Sequence, residues 1–315
     1  MPILRPVTPA DLDAIHALQA RAEAHDEIPY RTPREEFAEW LTDPDLNLAA
    51  DTCVVEVDGG FAGWGRVWHR PSGEREARCY LLGTVAPDHR GRGIGRELLS
   101  WQIARAREVL GTEPEGLSRF VRAQTYDFRH DALRLYERAG MRPVRYMAEM
   151  LRDLESLPVA VAETGVSISG WDRALDEEAR RVMNAAFEDH WGSTPRGPEA
   201  WRHELESHAA RHDLSFMAFE SGQLVGVTRS THFPGDEALT GRRDGWVSQI
   251  GVLRSHRRRG IASALIAASL AAFRRAGFTH AALGVDSENP TGALGLYELL
   301  GFRARHRAVV HQIEG

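Results

Sequence analysis

A chain that writes the same turn twice, half its length apart, has to fold as two copies of one unit. Arg90-Gly91-Arg92-Gly93-Ile94-Gly95 and Arg257-Arg258-Arg259-Gly260-Ile261-Ala262 both read R-x-x-G-x-[GA]. Each follows a short apolar run and precedes residues that recur at helical spacing. About forty residues further on, residues 127–141 and 288–302 share an A-L-x-L-Y-E core and end in a glycine before a large apolar residue. Gly93 and Gly260 lie 167 positions apart, Tyr136 and Tyr297 161. The repeat is therefore about half of the 315 residues, a whole domain and far longer than a solenoid repeat.

Each turn can hold a phosphate. The first amides of a helix lack intrahelical partners and carry the positive end of its dipole, Gly93 and Gly260 remove a side chain where the helix begins, and the arginines add charge. The nucleotide-binding fingerprints do not fit, since no lysine follows the glycines as a P-loop requires and no G-x-G-x-x-G leads to an acid beyond a second strand.

With both blocks present twice, the chain resembles the GNAT superfamily of acetyl-CoA-dependent N-acyltransferases. Its two-copy layout is similar to that of the mycothiol synthases, tandem members that acetylate the cysteinyl amine of a sugar-linked thiol. The resemblance implies an α/β fold with a mixed sheet in each of two tandem domains, residues 1–152 and 166–315, joined by a linker at 153–165. It implies acetyl-CoA as cofactor and a small-molecule amine as acceptor.

Composition narrows the class. A formal net charge of −6 and a pI near 6.2 argue against nucleic acid as a partner, so the arginine clusters are local tools. All 39 basic residues are arginine. Two cysteines, Cys53 and Cys79, sit in apolar strand-like runs, which points away from a disulfide framework and towards a reducing compartment. The N-terminus lacks the apolar core of a signal peptide and no run approaches a membrane span, so a cytoplasmic protein is expected, and a monomer in which the paired halves replace a dimer.

In order, residues 3–7 read as a strand, and Thr8-Pro9-Ala10-Asp11 as a helix start. A hairpin turns at Asp58-Gly59, and a second helix is expected within 24–43. The strand at 143–151 closes the first half. The second half opens at 167–169 and continues with a helix over 172–189, a hairpin across Ser221-Gly222, and a last strand over 308–312.

The resemblance assigns roles. Backbone of Leu82, Gly83, Thr84 and Val85, and of Ile250, Gly251 and Val252, would run along the pantetheine. The turns Arg90, Gly91, Arg92, Gly93, Ile94, Gly95 and Arg257, Arg258, Arg259, Gly260, Ile261, Ala262 would hold the pyrophosphate, and Asn289 the pantetheine arm. Tyr297 stands where the family places the acid for the departing thiolate. Tyr136 is its counterpart, with Phe128 in place of Asn289, so the first half is read as degenerate or supporting. An ordinary tyrosine pKa near 10 against a thiol's 8.5 makes that proton transfer feasible. The strand carboxylate common in the family is missing, because Val247-Ser248-Gln249-Ile250 contains none. Glu188, Asp189 and His190, at the end of a helix bordering the second cleft, are the candidate base, with His232 second. His208 and His212 share a helical face, but the stretch does not fit H-E-x-x-H and no metal is expected. Two other functions remain open: acetylation of an antibiotic or polyamine, and a sensor that binds acyl-CoA without turnover.

Overall fold

The computed structural model describes residues 3–43, 45–70, 76–159, 165–188, 190–288 and 292–315. Its elements follow the repeated order. The first run comprises β1 (Ile3–Arg5), α1 (Leu12–His25), α2 (Arg34–Leu41), α3 (Leu48–Asp51), β2 (Thr52–Val57) and β3 (Gly60–Arg70). It continues with β4 (Glu76–Val85), α4 (Ile94–Gly111), β5 (Ser118–Tyr126), α5 (His130–Arg138) and β6 (Arg142–Asp153). The second comprises β7 (Val166–Gly170), α6 (Asp176–Ala186), α7 (Pro198–Leu205), β8 (Phe216–Glu220), β9 (Gln223–His232) and α8 (Gly235–Thr240). It ends with β10 (Asp244–Val252), α9 (Ile261–Arg275), β11 (His280–Asp286), α10 (Ala293–Leu299) and β12 (Arg303–Glu314).

Local chemistry explains the starts and turns. Asp58 and Gly59 have φ of 52° and 79°, Ser221 and Gly222 of 49° and 80°, and such paired left-handed residues make the tight turns that suit a hairpin's twist. Ahead of α1, the Thr8 amide and hydroxyl both donate to Asp11 Oδ2, at 2.7 and 2.9 Å. Arg5 holds the same carboxylate through two bonds of 2.7 and 2.8 Å.

The chain divides into two compact units, and the division differs from the expected one. The first is Met1–Tyr146 with Ala308–Gly315, the second Met147–Arg307. In the first the strand order is β1-β2-β3-β4-β5-β12, in the second β6-β11-β10-β9-β8-β7. Residues 308–314 pair antiparallel with β5, from Ala308↔Tyr126 to Glu314↔Phe120. Residues 147–153 pair with β11, from Met147↔Asp286 to Asp153↔His280. Each run's closing strand thus completes the sheet of the other unit, where the sequence reading kept it at home. Alternating apolar residues define a strand and its buried face but not its neighbour. Leu154, expected in the linker, is buried in the second unit's core, and its amide donates to Thr279 O at 3.0 Å. Residues 160–164 of that linker lie outside the described residues.

Each unit buries its sheet between helices. In the first, Leu99, Ile103, Ala106 and Leu110 of α4 cover Cys79, Leu81, Val121 and Ala123, while Ile15, Leu18 and Phe37 pack on Val54 and Trp64. In the second, Ile266, Leu270 and Phe273 of α9 cover Val247, Ala281, Leu283 and Val285. On its other face Val182, Met183, Trp201 and Leu205 pack on Met217, Leu224 and Val227. Full burial of one such side chain is worth about 1.5–3 kcal/mol. No helix of the described residues is long and apolar enough to cross a membrane.

Candidate active site

The two turns have the same backbone. In the first unit Gly91 and Gly93 have φ of 73° and 88°, and in the second Arg258 and Gly260 have 62° and 73°. Alternation of left-handed and ordinary residues turns successive amides to one side, a nest for an anion at the head of helices of 18 and 15 residues. The geometry fits the pyrophosphate of coenzyme A.

The arginine side chains divide into latches and exposed heads. Arg90 Nε donates to Val85 O at 3.1 Å, and its Nη atoms grip Asp26 at 2.5 and 2.8 Å. Arg257 does the equivalent, with Nε to Val252 O at 3.3 Å and Nη2 to Ala186 O at 2.8 Å. These side chains fasten the turn to its strand and to the preceding helix. Arg259 pairs with Glu220 at 2.6 Å, which His256 also approaches at 3.1 Å. Arg92 and Arg258 are exposed at their turns. Sequence spacing gave no sign of the latches, because Asp26 and Arg90 are 64 positions apart.

Above each turn the sheet opens. The parallel ladder of β4 with β5 ends at Leu81↔Ala123, that of β10 with β11 at Trp246↔Ala282. Beyond those points Leu82–Val85 pair only with β3 and Val247–Val252 only with β9, apart from the bulged Ser248. The opposite edge of each stretch is a row of backbone donors and acceptors that an amide-bearing arm can complete. Gly83, Thr84, Val85, Ile250, Gly251 and Val252 all lie on these stretches. A Cβ at Gly83 would stand 2.5 Å from Trp64 O, so that position requires glycine for close approach, and one at Gly251 would press on Met183 Sδ and Ala186 Cβ at 3.0 Å. In the first unit Gln102 Nε2 donates to Leu82 O at 2.7 Å and Arg66 O at 3.1 Å, so one carbonyl there is already committed.

Tyr297 is buried in the second unit's core beside Phe302, 6.3 Å between ring centres, and burial pushes its hydroxyl up to about 12. Tyr136 is pushed to about 12 as well, by burial first, then lowered by Arg129 and raised by Asp131. Its ring lies 5.6 Å from that of His311, a buried residue of β12 whose Nδ1 has no hydrogen-bond partner among the described residues. Burial holds the His311 imidazole below its ordinary value, against an opposing pull from Glu137 and the Val309 backbone.

The candidate base residues follow α6 and end β9. Arg257 ties the end of α6 to the turn through Ala186 O, and exposed Glu188 follows two residues on. His190 follows with its ring 4.9 Å from Phe187. His232 Nδ1 is 3.1 Å from Asp244 O and Nε2 3.3 Å from Glu237. Asp189 and Asn289 lie outside the described residues.

One group was not foreseen. Gln249, on the strand position where the family's carboxylate was sought, accepts from Arg229 Nη1 at 2.9 Å. Arg229 is buried, stacks 4.9 Å over Trp201 and pairs with Glu204 at 2.6 Å. Burial alone would raise the Glu204 carboxyl, but Arg196 and Arg229 hold it below the usual carboxylate range. The signal in the sequence is a charged residue inside the second strand of the hairpin, V-G-V-T-R-S.

Residues 12–141 and 177–302 match the sequence model of the Acetyltransferase (GNAT) family. The chain is 29% identical to the mycothiol acetyltransferase of Geodermatophilus obscurus, over 97% of this chain and 96% of that protein. It is 31% identical to that of Salinispora arenicola, over 79% and 76%. Among solved structures it is similar to a GCN5-related N-acetyltransferase from Sphaerobacter thermophilus, TM-score 0.77 and 29% identity, over 99% and 95% of the two chains. A tandem GNAT protein from the clavulanic acid biosynthesis pathway shares the fold, TM-score 0.71 at 18% identity, over 100% and 98%.

Proposed function

This chain belongs to the acetyltransferase (GNAT) family and is an acetyl-CoA-dependent N-acetyltransferase, and we propose that its second unit performs the transfer, with the cysteinyl amine of a mycothiol-type small molecule as acceptor. The observation that carries the choice of unit is the bulge at Ser248. With it the β10–β11 ladder stops at Trp246, and six residues of strand border the opening against four in the first unit. Relatives named mycothiol acetyltransferase that align along nearly the whole chain support the acceptor class.

Bound acetyl-CoA supplies an activated acetyl group on sulfur. The nest of the second turn and the Arg258 head hold its pyrophosphate, and the free edge of Ile250–Val252 pairs with its amide arm. Tyr297 keeps its proton at neutral pH and delivers it to sulfur as the C–S bond breaks. In the first unit the same turn holds cofactor, and Gln102 narrows the opening. We place the protein in the cytoplasm as a monomer.

The test is acetyl transfer to cysteinyl-glucosamine beside a panel of polyamines and aminoglycosides, with acetyl-CoA binding by calorimetry. Turnover confined to cysteinyl-glucosamine supports the reading. Preference for a polyamine or aminoglycoside moves the acceptor class, and binding without any transfer leaves a sensor.

A further inference from the structure

The bulge at Ser248 changes which side chains stand beside the opening of the second unit. Val247 packs with α9 in the core. In an unbroken strand Ser248 would face the other side of the sheet and Gln249 would return to α9. The extra residue resets that alternation. Ser248 Oγ lies 2.5 Å from Thr231 Oγ1, and Gln249 Oε1 accepts from Arg229 Nη1 at 2.9 Å. Thr231 and Arg229 are two residues apart on β9 and share a face, that of Trp201, over which Arg229 stacks. Two successive side chains of β10 therefore project on one face, which α6 and α7 cover further along, where a Cβ on Gly251 would press on Ala186 and Met183.

Arg229 fixes how the Gln249 amide is turned. A guanidinium has donors and no acceptor, so the amide atom that meets it is the oxygen. Arg229 is itself held in place, buried, with Nη1 on Glu204 Oε2 at 2.6 Å and Nη2 on Glu204 O at 2.9 Å. Strand β9 flanks one side of Gln249, and the opening beyond Trp246 lies on the other. With Oε1 turned to β9, the NH2 at the other end of the planar amide is turned away from it. Gln249 is half-buried, and its Nε2 has no hydrogen-bond partner among the described residues. The strand thus sets a pair of N–H donors at the edge of the opening, on a stretch, V-S-Q-I, that carries no carboxylate. The Glu204 carboxylate behind it is held by both Arg196 and Arg229.

We infer that Gln249 recognises a carbonyl oxygen on the carbon next to the acceptor's amine, and so selects α-aminoacyl amines over plain alkyl amines. The inference rests on the reading that the second unit turns over. An ammonium group has donors only, so the Gln249 NH2 cannot pair with it, whereas a carbonyl oxygen can accept from it. Titration favours the same class. An amine beside a carbonyl ionises near the α-amino value of about 7.7–8.0, a plain alkyl amine near about 10.4. At pH ~7.5 about a third of the first is neutral, against roughly one in a thousand of the second. A strand that offers donors and no carboxylate therefore suits an acceptor that arrives neutral and carries its own oxygen.

Gln249→Leu and Gln249→Glu, compared with wild type on cysteinyl-glucosamine and on the same molecule with its amide carbonyl reduced to CH2, test this. Gln249→Leu is expected to lower kcat/KM on cysteinyl-glucosamine about tenfold, chiefly through KM. On the carbonyl-free analogue it should stay within about twofold of wild type, with acetyl-CoA affinity unchanged. Gln249→Glu keeps a partner for Arg229 but removes both donors, and should show the same loss confined to the carbonyl-bearing acceptor. Calorimetry of cysteinyl-glucosamine on the protein saturated with CoA reads the contact without turnover, and affinity should fall about tenfold in either variant. Variants within twofold of wild type, equal losses on the two acceptors, or weakened acetyl-CoA binding each overturn the assignment and leave the acetyltransferase reading intact. Wild type that neither acetylates nor binds cysteinyl-glucosamine brings down the acceptor reading and this inference together.

Discussion

The two units carry the same phosphate turn and part company in the strand that leads to it. β4 runs in unbroken register with β3 and keeps its parallel ladder to Leu81, while β10 bulges at Ser248 and leaves its neighbour at Trp246. Where the first unit spends a buried glutamine amide on Leu82 O, the second buries Ser269, whose hydroxyl meets that of Thr228 at 3.2 Å. His311 lies against Tyr136, while Met150 shares the core of Tyr297. On the proposed function, holding a phosphate and reaching a thioester are therefore separable properties. The first needs two left-handed residues at a helix head, and the second needs the strand to leave its neighbour early enough.

The widest expected difference is catalytic. Tyr297→Phe should lower amine acetylation about 10²–10⁴-fold at unchanged acetyl-CoA affinity, while Tyr136→Phe should stay near wild type in the same steady-state assay. Equal losses would erase the distinction between the units.

Next comes stability. Arg78 and Arg122 are fully buried and share Glu76, at 2.7 Å and at 3.0 Å, and Arg78 Nε and Nη2 have no hydrogen-bond partner among the described residues. Removing that one carboxylate by Glu76→Ala leaves two buried cations and should cost about 3 kcal/mol or more in urea unfolding. Glu204→Ala in the second unit should cost less, because of the two arginines on Glu204 only Arg229 is buried, and it keeps Gln249 and Trp201.

A smaller effect belongs to the acid limb of the first unit. Bonds from Arg5 first, then from Thr8, outweigh burial and hold Asp11 at about 2. The folded value lies below the ordinary one near 3.9. The stabilisation is thus present above pH ~4 and is lost as pH falls through about 2. Asp11→Asn should remove roughly 2 kcal/mol at neutral pH and flatten the acid limb between those values, as read by circular dichroism.

Smallest is the turn itself. Arg258 adopts the left-handed conformation that Gly91 adopts in the other copy. Arg258→Gly should stabilise by about 1 kcal/mol and Gly91→Ala destabilise by about as much, measured by thermal unfolding. If Arg258 holds phosphate, its glycine variant should also weaken acetyl-CoA binding, which sets a binding role against a strain role.

The parts legible beforehand were local. Both turns at the heads of α4 and α9, both hairpins, Thr8 with Asp11, and the L-Y-E helices depend on residues within a turn or two of one another, where backbone preference and capping act directly. Guanidinium partners were illegible because they come from distant segments: Asp26 for Arg90, Glu220 for Arg259, Glu204 for Arg229. The end of α6, just before Glu188 and His190, is likewise held by a distant residue, through the bond from Arg257 to Ala186 O.

The sequence by itself determined two GNAT-type units, the turns at their helix heads and the L-Y-E helices with their tyrosines, because repetition and helix-head chemistry are written in short stretches. Tertiary structure alone decided which strand closes which sheet and where each parallel ladder ends. A period of two fixes which side of a strand is buried, but every open sheet edge presents the same amides and carbonyls. Which strand takes that edge is settled by the side chains that pack beneath it, Ile313 among the first unit's apolar residues and Met150 beside Leu283 and Tyr297 in the second.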